Sequence, residues 1–225
     1  MSIFTFALRE NLRQRLTLPL LLLFPLVLLL VPSMPGSLPM SFSLFGLLNF
    51  YSAFLLVRTV AEDRMRGVLV RIASSPISHA HYLTSHLAAG SLLLITQSLV
   101  LIIASLIVHG SNTTNYLLLF ILYCSYSVMT LSFSLAWNTM FRSYTTSFAL
   151  FSGVGSILCL VSGLTFPLRF LPPAMQQMVR VLPTYWLAHG LEALNEQAGA
   201  SLLLAVVILL IFAGIFLLVG SRRRL

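Results

Sequence analysis

Residues 200–220 run without a single charged side chain. An α-helix needs about 20 mostly apolar residues to cross the hydrocarbon core of a bilayer, and this run has that length. Five further runs are mostly apolar: residues 16–31, 42–60, 83–108, 116–137 and 146–166, of which the second holds one charged side chain, Arg58. Lipid offers no hydrogen-bond partners to the backbone, so such runs must close their hydrogen bonds internally, as helices do. The pattern predicts an all-α polytopic membrane protein with six transmembrane helices. Six spans use about half the chain. Little remains for a second unit, so residues 1–225 are expected to form one transmembrane domain.

Composition excludes the alternatives. Of 225 residues 58% are hydrophobic and only 8% are charged, with a mean hydropathy of +0.97. Soluble domains carry roughly 25% charged residues. A soluble enzyme, a secreted disulfide scaffold and a disordered tail are all incompatible with these values. Cys124 and Cys159 both lie inside apolar runs, where cysteine packs as a small hydrophobe. Residues 16–31 also invite comparison with a cleaved signal peptide. Glu10 interrupts its basic leader, however, and Pro32-Ser33-Met34-Pro35 is a poor cleavage site.

The net charge is +8, and all thirteen basic residues are arginine. These arginines punctuate apolar runs, which indicates a membrane surface and not a nucleic acid as the partner. With no lysine, the chain has no P-loop, whose lysine must reach the nucleotide phosphates. Arginine also sets the expected orientation. With both termini inside, the inner segments hold Arg9, Arg13, Arg15, Arg58, Arg64, Arg66, Arg71, Arg142, Arg222, Arg223 and Arg224. The outer segments hold only Arg169 and Arg180.

Three segments are more than lipid-facing. Residues 1–15 read as an interfacial helix, with Phe4, Leu8 and Leu12 on one face and Arg9, Asn11, Arg13 and Gln14 elsewhere. Residues 62–78 form the longest inner loop. They combine charges of both signs with a short amphipathic run that stops at Ser75-Pro76, because a residue before proline is pushed out of the α region. Residues 162–191 are apolar but broken by Pro167, Pro172, Pro173 and Pro183. They predict short helices dipping into the outer leaflet before the last span, with Met175, Met178, Val179 and Leu182 at helical spacing. Tyr185 and Trp186 suit the aromatic belt.

In the inner loop, Glu62, basic residues, Gly67, Leu69 and then Ser75-Pro76 resemble the permease subunits of ABC-2 type exporters. Ser162-Gly163, Phe166-Pro167, Leu171-Pro172, Pro183-Thr184-Tyr185 and Gly190-Leu191 are similar to that family's outer segment. Val68 to Arg71 place no acid after the loop glycine, where members often carry one, and the first outer loop is short. The resemblance implies that the inner loop is a coupling helix seated on a separate ATP-binding subunit. Glu62, Arg64, Arg66, Gly67, Arg71, Ser75 and Pro76 would make that contact. It further implies no cofactor on this chain, ATP and Mg²⁺ on the partner subunit, and a second permease, identical or related. The transport path would lie between the two copies. Phe166, Pro167, Pro183, Tyr185 and Trp186 would form the outer re-entrant segment. The expected setting is the cytoplasmic membrane of a bacterium or archaeon. The expected cargo is amphipathic: a drug, a lipid-like molecule or a hydrophobic peptide.

Polar residues within spans tend to face a bundle interior or a cavity. Asn49, Arg58, Gln97 and Asn138 are therefore the expected substrate-path residues. Ser152, Gly153, Gly155 and Ser156 read as helix-packing positions. His79, His81 and His86 lie close together, but no neighbouring cysteine or carboxylate supports a metal site. His189 pairs most simply with Glu192. A haem-export-type permease, a non-transporting membrane protein and an intramembrane enzyme are the competing classes. No serine-histidine-acid set stands at useful spacing to favour the last.

Overall fold

A computed structural model describes residues 3–13, 17–31, 38–65, 79–110, 114–165 and 172–222. Every regular element among them is helical. In chain order they are α1 (Ile3–Arg13), α2 (Thr17–Leu28), α3 (Met40–Leu56), α4 (Arg58–Met65), α5 (His79–His109) and α6 (Tyr116–Asn138). Then come α7 (Tyr144–Val161), α8 (Pro173–Met178), a 3-10 turn (Val179–Val181), α9 (Pro183–Asn195) and α10 (Gly199–Arg222).

Five stretches are long and apolar enough to cross a membrane: Met40–Asp63, Thr84–His109, Tyr116–Asn138, Tyr144–Val161 and Gly199–Gly220. They coincide with five of the six expected runs. The remaining run forms α2, whose 12 residues reach only about 18 Å at 1.5 Å per residue. Three tighter backbone bonds carry its geometry on to Val31. Pro25 lies inside it and donates no backbone hydrogen bond.

Helix α6 is the axis of the bundle. Of its most apolar stretch 61% is buried, against 22% for α7. Helices α3, α5, α9 and α10 all pack on it. The main core joins Phe42, Phe45, Phe50 and Phe54 of α3 to Tyr123, Tyr126 and Met129 of α6, Phe151 of α7 and Leu187 of α9. Lipid tails are as apolar as leucine, so close contact between side chains holds these helices together, not the flight from water. Glycines permit the closest approaches. A Cβ on Gly46 would lie 2.5 Å from Leu187 Cδ2, and one on Gly155 2.8 Å from Phe50 Cε1. A second cluster gathers Leu21, Leu56, Val60, Tyr82 and Leu94 where α2, α3 and α4 meet α5.

The chain breaks where its prolines dictate. Pro172 caps α8, Pro173 opens it and Pro183 opens α9. Proline is favoured at a first helical turn, because the missing N–H is unneeded there. Helix α9 packs on α3, α6, α7 and α10. Gly110, just after α5, and Gly163, just after α7, adopt positive φ, as does Gln197 (φ 56°) in the turn between α9 and α10.

Candidate functional site

Helices α3, α5 and α7 meet α4, which ends just before residues 66–78. Helix α3 ends at Val57, and the chain continues into α4 with almost no interruption. Val57 donates its backbone N–H to Ala53 O at 3.2 Å, and Ala61 donates to Val57 O at 3.0 Å. At the head of α4, Arg58 Nε donates to Glu62 Oε1 at 2.6 Å, a pairing one helical turn long. The same guanidinium lies over the ring of Tyr144, 5.3 Å from its centroid. Tyr144 opens α7 and stacks in turn on Phe54 and Phe148.

On the other side of α4, Asp63 Oδ2 accepts from the Tyr82 hydroxyl of α5 at 2.7 Å. Burial, reinforced by that bond, raises the Tyr82 phenol well above its ordinary range, so it remains a donor at any physiological pH. The Tyr82 ring also packs on that of His86, with centroids 4.4 Å apart. Helix α1 completes the junction by packing against α5. Ala7 and Asn11 are buried there, while Arg9 and Arg13 stay exposed. Burial raises the Glu10 carboxyl above its ordinary 4.5, and the charges of Asp63 and Glu62 raise it further. Three of the five acidic residues of the chain thus sit at one end of the bundle, around α4.

The expected coupling residues divide. Glu62 is described and paired, and Arg64 contributes its backbone to the end of α4. Arg66, Gly67, Arg71, Ser75 and Pro76 lie outside the described residues.

The expected path residues do not share one open cavity among the described residues. Asn49 is fully buried between α3 and α6. Its Nδ2 donates to Ser127 Oγ at 2.9 Å, and its Oδ1 accepts from Thr130 Oγ1 at 3.1 Å. Gln97 is also fully buried and donates to Ser52 Oγ at 3.2 Å. These pairs fasten α3 to α6 and to α5. Asn138 closes the corner between α6 and α7 by accepting from Ser147 Oγ at 2.8 Å. Arg58 stands apart from all three, at the α4 junction.

Helix α7 exposes a different polar surface. Tyr51 of α3 donates to Ser152 O at 2.8 Å, and its oxygen lies 2.7 Å from Ser156 Oγ. Thr145, Thr146, Gly153 and Ser156 are exposed around this point. The small residues of this stretch differ in what they do, and Gly153 has nothing within 4 Å of an added Cβ. Gly155 admits Phe50, whereas Ser152 and Ser156 also bond backward to their own helix, to Ala149 O and Ser152 O.

At the α9 end, Trp186 Nε1 donates to Arg180 O at 3.0 Å and Thr184 Oγ1 donates to Leu158 O at 3.5 Å. His189 does not form an ion pair with Glu192. Its ring instead stacks on Tyr185 and meets Trp186 edge-on. Pro183, Tyr185 and Trp186 therefore belong to one packed helix, while Phe166 and Pro167 lie outside the described residues. Among the described residues no group of three or more histidine, cysteine, aspartate or glutamate side chains is disposed to hold a metal.

Sequence reasoning missed Tyr82, Tyr144 and Glu10. Their signal was weak: a tyrosine just outside a span is common, and only folding brings these three to α4.

Residues 34–222 match the model of a family described as ABC-2 family transporter protein. No curated protein matches the chain.

Proposed function

The chain belongs to the ABC-2 transporter family, a family of membrane permeases, and from that premise we propose that it is the permease subunit of an ATP-driven exporter. The match over residues 34–222 carries this reading, because it spans all five long apolar helices. As a permease the chain is the conduit of the transporter and not its catalyst. ATP and Mg²⁺ are bound by a separate ATP-binding subunit.

The inner loop seats on that subunit. Glu62, Arg64, Arg66, Gly67, Arg71, Ser75 and Pro76 form the contact, with charge-assisted hydrogen bonds at its edge. The arginine distribution puts this loop and both termini in the cytoplasm, with six crossings of the cytoplasmic membrane. Residues 1–225 act as one transmembrane domain. Phe166, Pro167, Pro183, Tyr185 and Trp186 lie on the outer side as a re-entrant segment.

A second permease, identical or related, covers α7. This helix is the least buried of the five, and its uncovered face carries Thr145, Thr146 and Ser156, polar side chains that tend to face protein or a cavity and not lipid. An amphipathic cargo passes between the two copies along the Tyr51–Ser156 face. Asn49 and Gln97 stand one layer behind it, while Arg58 and Asn138 mark its inner end. Closure of the ATP-bound subunits tilts the permeases and alternates access to that path.

Photo-crosslinkers placed at Glu62 and Arg66 test the contact. An ATP-binding polypeptide should be captured from native membranes. Capture of none, with labelling of the loop from the outside of the cell, overturns the reading.

A further inference from the structure

Helix α7 is held differently from the other spans. Most of its surface is uncovered, and only Ser147, Phe151, Gly155 and Cys159 of it are buried. Its first turn is nevertheless gripped from two directions. One grip comes from α6, through Ser147 on Asn138. The other comes from the α3–α4 rod. Tyr144 is packed between Phe54, whose ring centroid is 5.7 Å away, and the guanidinium of Arg58 at 5.3 Å. Phe54 is also in contact with Phe151, with ring centroids 4.1 Å apart, two turns further along α7.

Arg58 is fixed for this task. Its Nε bond to Glu62 holds the guanidinium at the head of α4, and a guanidinium over an aromatic face makes a contact that an ammonium does not reproduce. Glu62 belongs to the proposed coupling contact. A displacement of α4 by the ATP-binding subunit therefore moves Glu62, Arg58 and Tyr144 together, because the three are in direct contact. Helix α7 is the least buried of the long helices, and its other attachments to α3 and α6, through Tyr51, Asn138 and the Phe50–Phe151 stack, lie on the same side as this grip.

We propose that Arg58 is the positioning residue that carries motion from α4 to α7, through its stack on Tyr144. This rests on the exporter reading above. It adds that α7, and not the α5–α6–α10 core, is the span that the inner loop drives.

The test uses the full chain with its copurifying ATP-binding subunit in lipid nanodiscs, with Cys124 and Cys159 replaced by alanine. Spin labels are placed at two exposed positions, I157C on α7 and I107C on α5. Mg·ATP with vanadate is the probe. In the parent the distance between the labels should change when the probe is added. Arg58→Ala and Tyr144→Leu should each abolish more than half of that change while the ATP-binding subunit still copurifies. Tyr144→Phe keeps the ring and should retain the full change. The double variant Arg58→Ala, Tyr144→Leu should be no worse than either single one, since one link is broken once.

An undiminished change in Arg58→Ala and Tyr144→Leu overturns the relay and leaves the exporter reading standing. So does a loss equally severe in Tyr144→Phe. A parent chain that brings down no ATP-hydrolysing subunit overturns the exporter reading itself, and the relay with it.

Discussion

Tyr82 and Asp63 lie nineteen positions apart in sequence, and the hydroxyl of one donates to the carboxylate of the other at 2.7 Å. This contact ties α4, which precedes residues 66–78, to α5, which follows them. Tyr82→Phe keeps the ring packed on His86 and removes only the donor. A hydrogen bond to a charged group at a half-buried site is worth about 1–2 kcal/mol. The variant should therefore melt earlier in detergent, and residues 58–65 should exchange amide hydrogens faster. Unchanged exchange there would show that the bond does not hold α4.

Glu10 gives the junction a pH dependence whose sign is fixed. Its carboxyl is raised by burial and by the charges of Asp63 and Glu62. The folded state therefore favours the protonated form. The docking of α1 is strongest below the ordinary carboxylate value of 4.5, and it weakens as pH rises through the raised value. Proteolysis within residues 3–13 should be slower in mildly acidic buffer than in alkaline buffer. Glu10→Gln should be protected at both. A parent protected more strongly at alkaline pH would contradict this assignment.

Gly190 stands where α9 crosses α6. A Cβ there would lie 2.7 Å and 2.9 Å from the two methyls of Leu122, and 3.4 Å from Ala205 Cβ. Gly190→Ala should destabilise the protein by about 1–3 kcal/mol through overpacking. Gly153→Ala is the matched control, since nothing lies within 4 Å of its added carbon. Thermal unfolding in detergent should separate the two variants clearly.

Asn49→Ala removes both a donor to Ser127 and an acceptor for Thr130. Interhelical hydrogen bonds in membranes average ~0.6 kcal/mol and reach ~1.7. Unfolding should shift by that modest amount. If Asn49 stands behind the path, the cargo concentration needed for half-maximal ATPase stimulation should stay fixed. A large shift in that concentration would place Asn49 on the path itself.

Span positions were legible because a bilayer imposes one length on every crossing helix. Pro183 was legible for an equally local reason, since it opens α9 where the backbone rules put it. Faces were much less so. Asn11 reads as polar and outward in a helical projection, yet it is buried with Ala7, because a protein neighbour and not water meets that side of α1. Met178 and Val179 share one apolar face by spacing, yet Met178 is 74% exposed while Val179 is buried. Apolar periodicity cannot distinguish a lipid-facing stripe from a protein-facing one. Arg58 illustrates the same limit. Its position inside a run suggested a membrane-buried charge, and the fold instead gives it Glu62 and Tyr144 at the helix junction. Contacts between residues 58 and 144 depend on tertiary structure, which no local pattern encodes.

In the proposed exporter the energy for transport enters from another protein. ATP hydrolysis tests this, with the purified chain assayed alone, its copurified ATP-binding subunit alone, and the two together in nanodiscs. The chain alone should hydrolyse no ATP, and hydrolysis by the pair should depend on Glu62 and Arg66. Hydrolysis by the isolated chain, or a pair whose activity ignores those two residues, would contradict it.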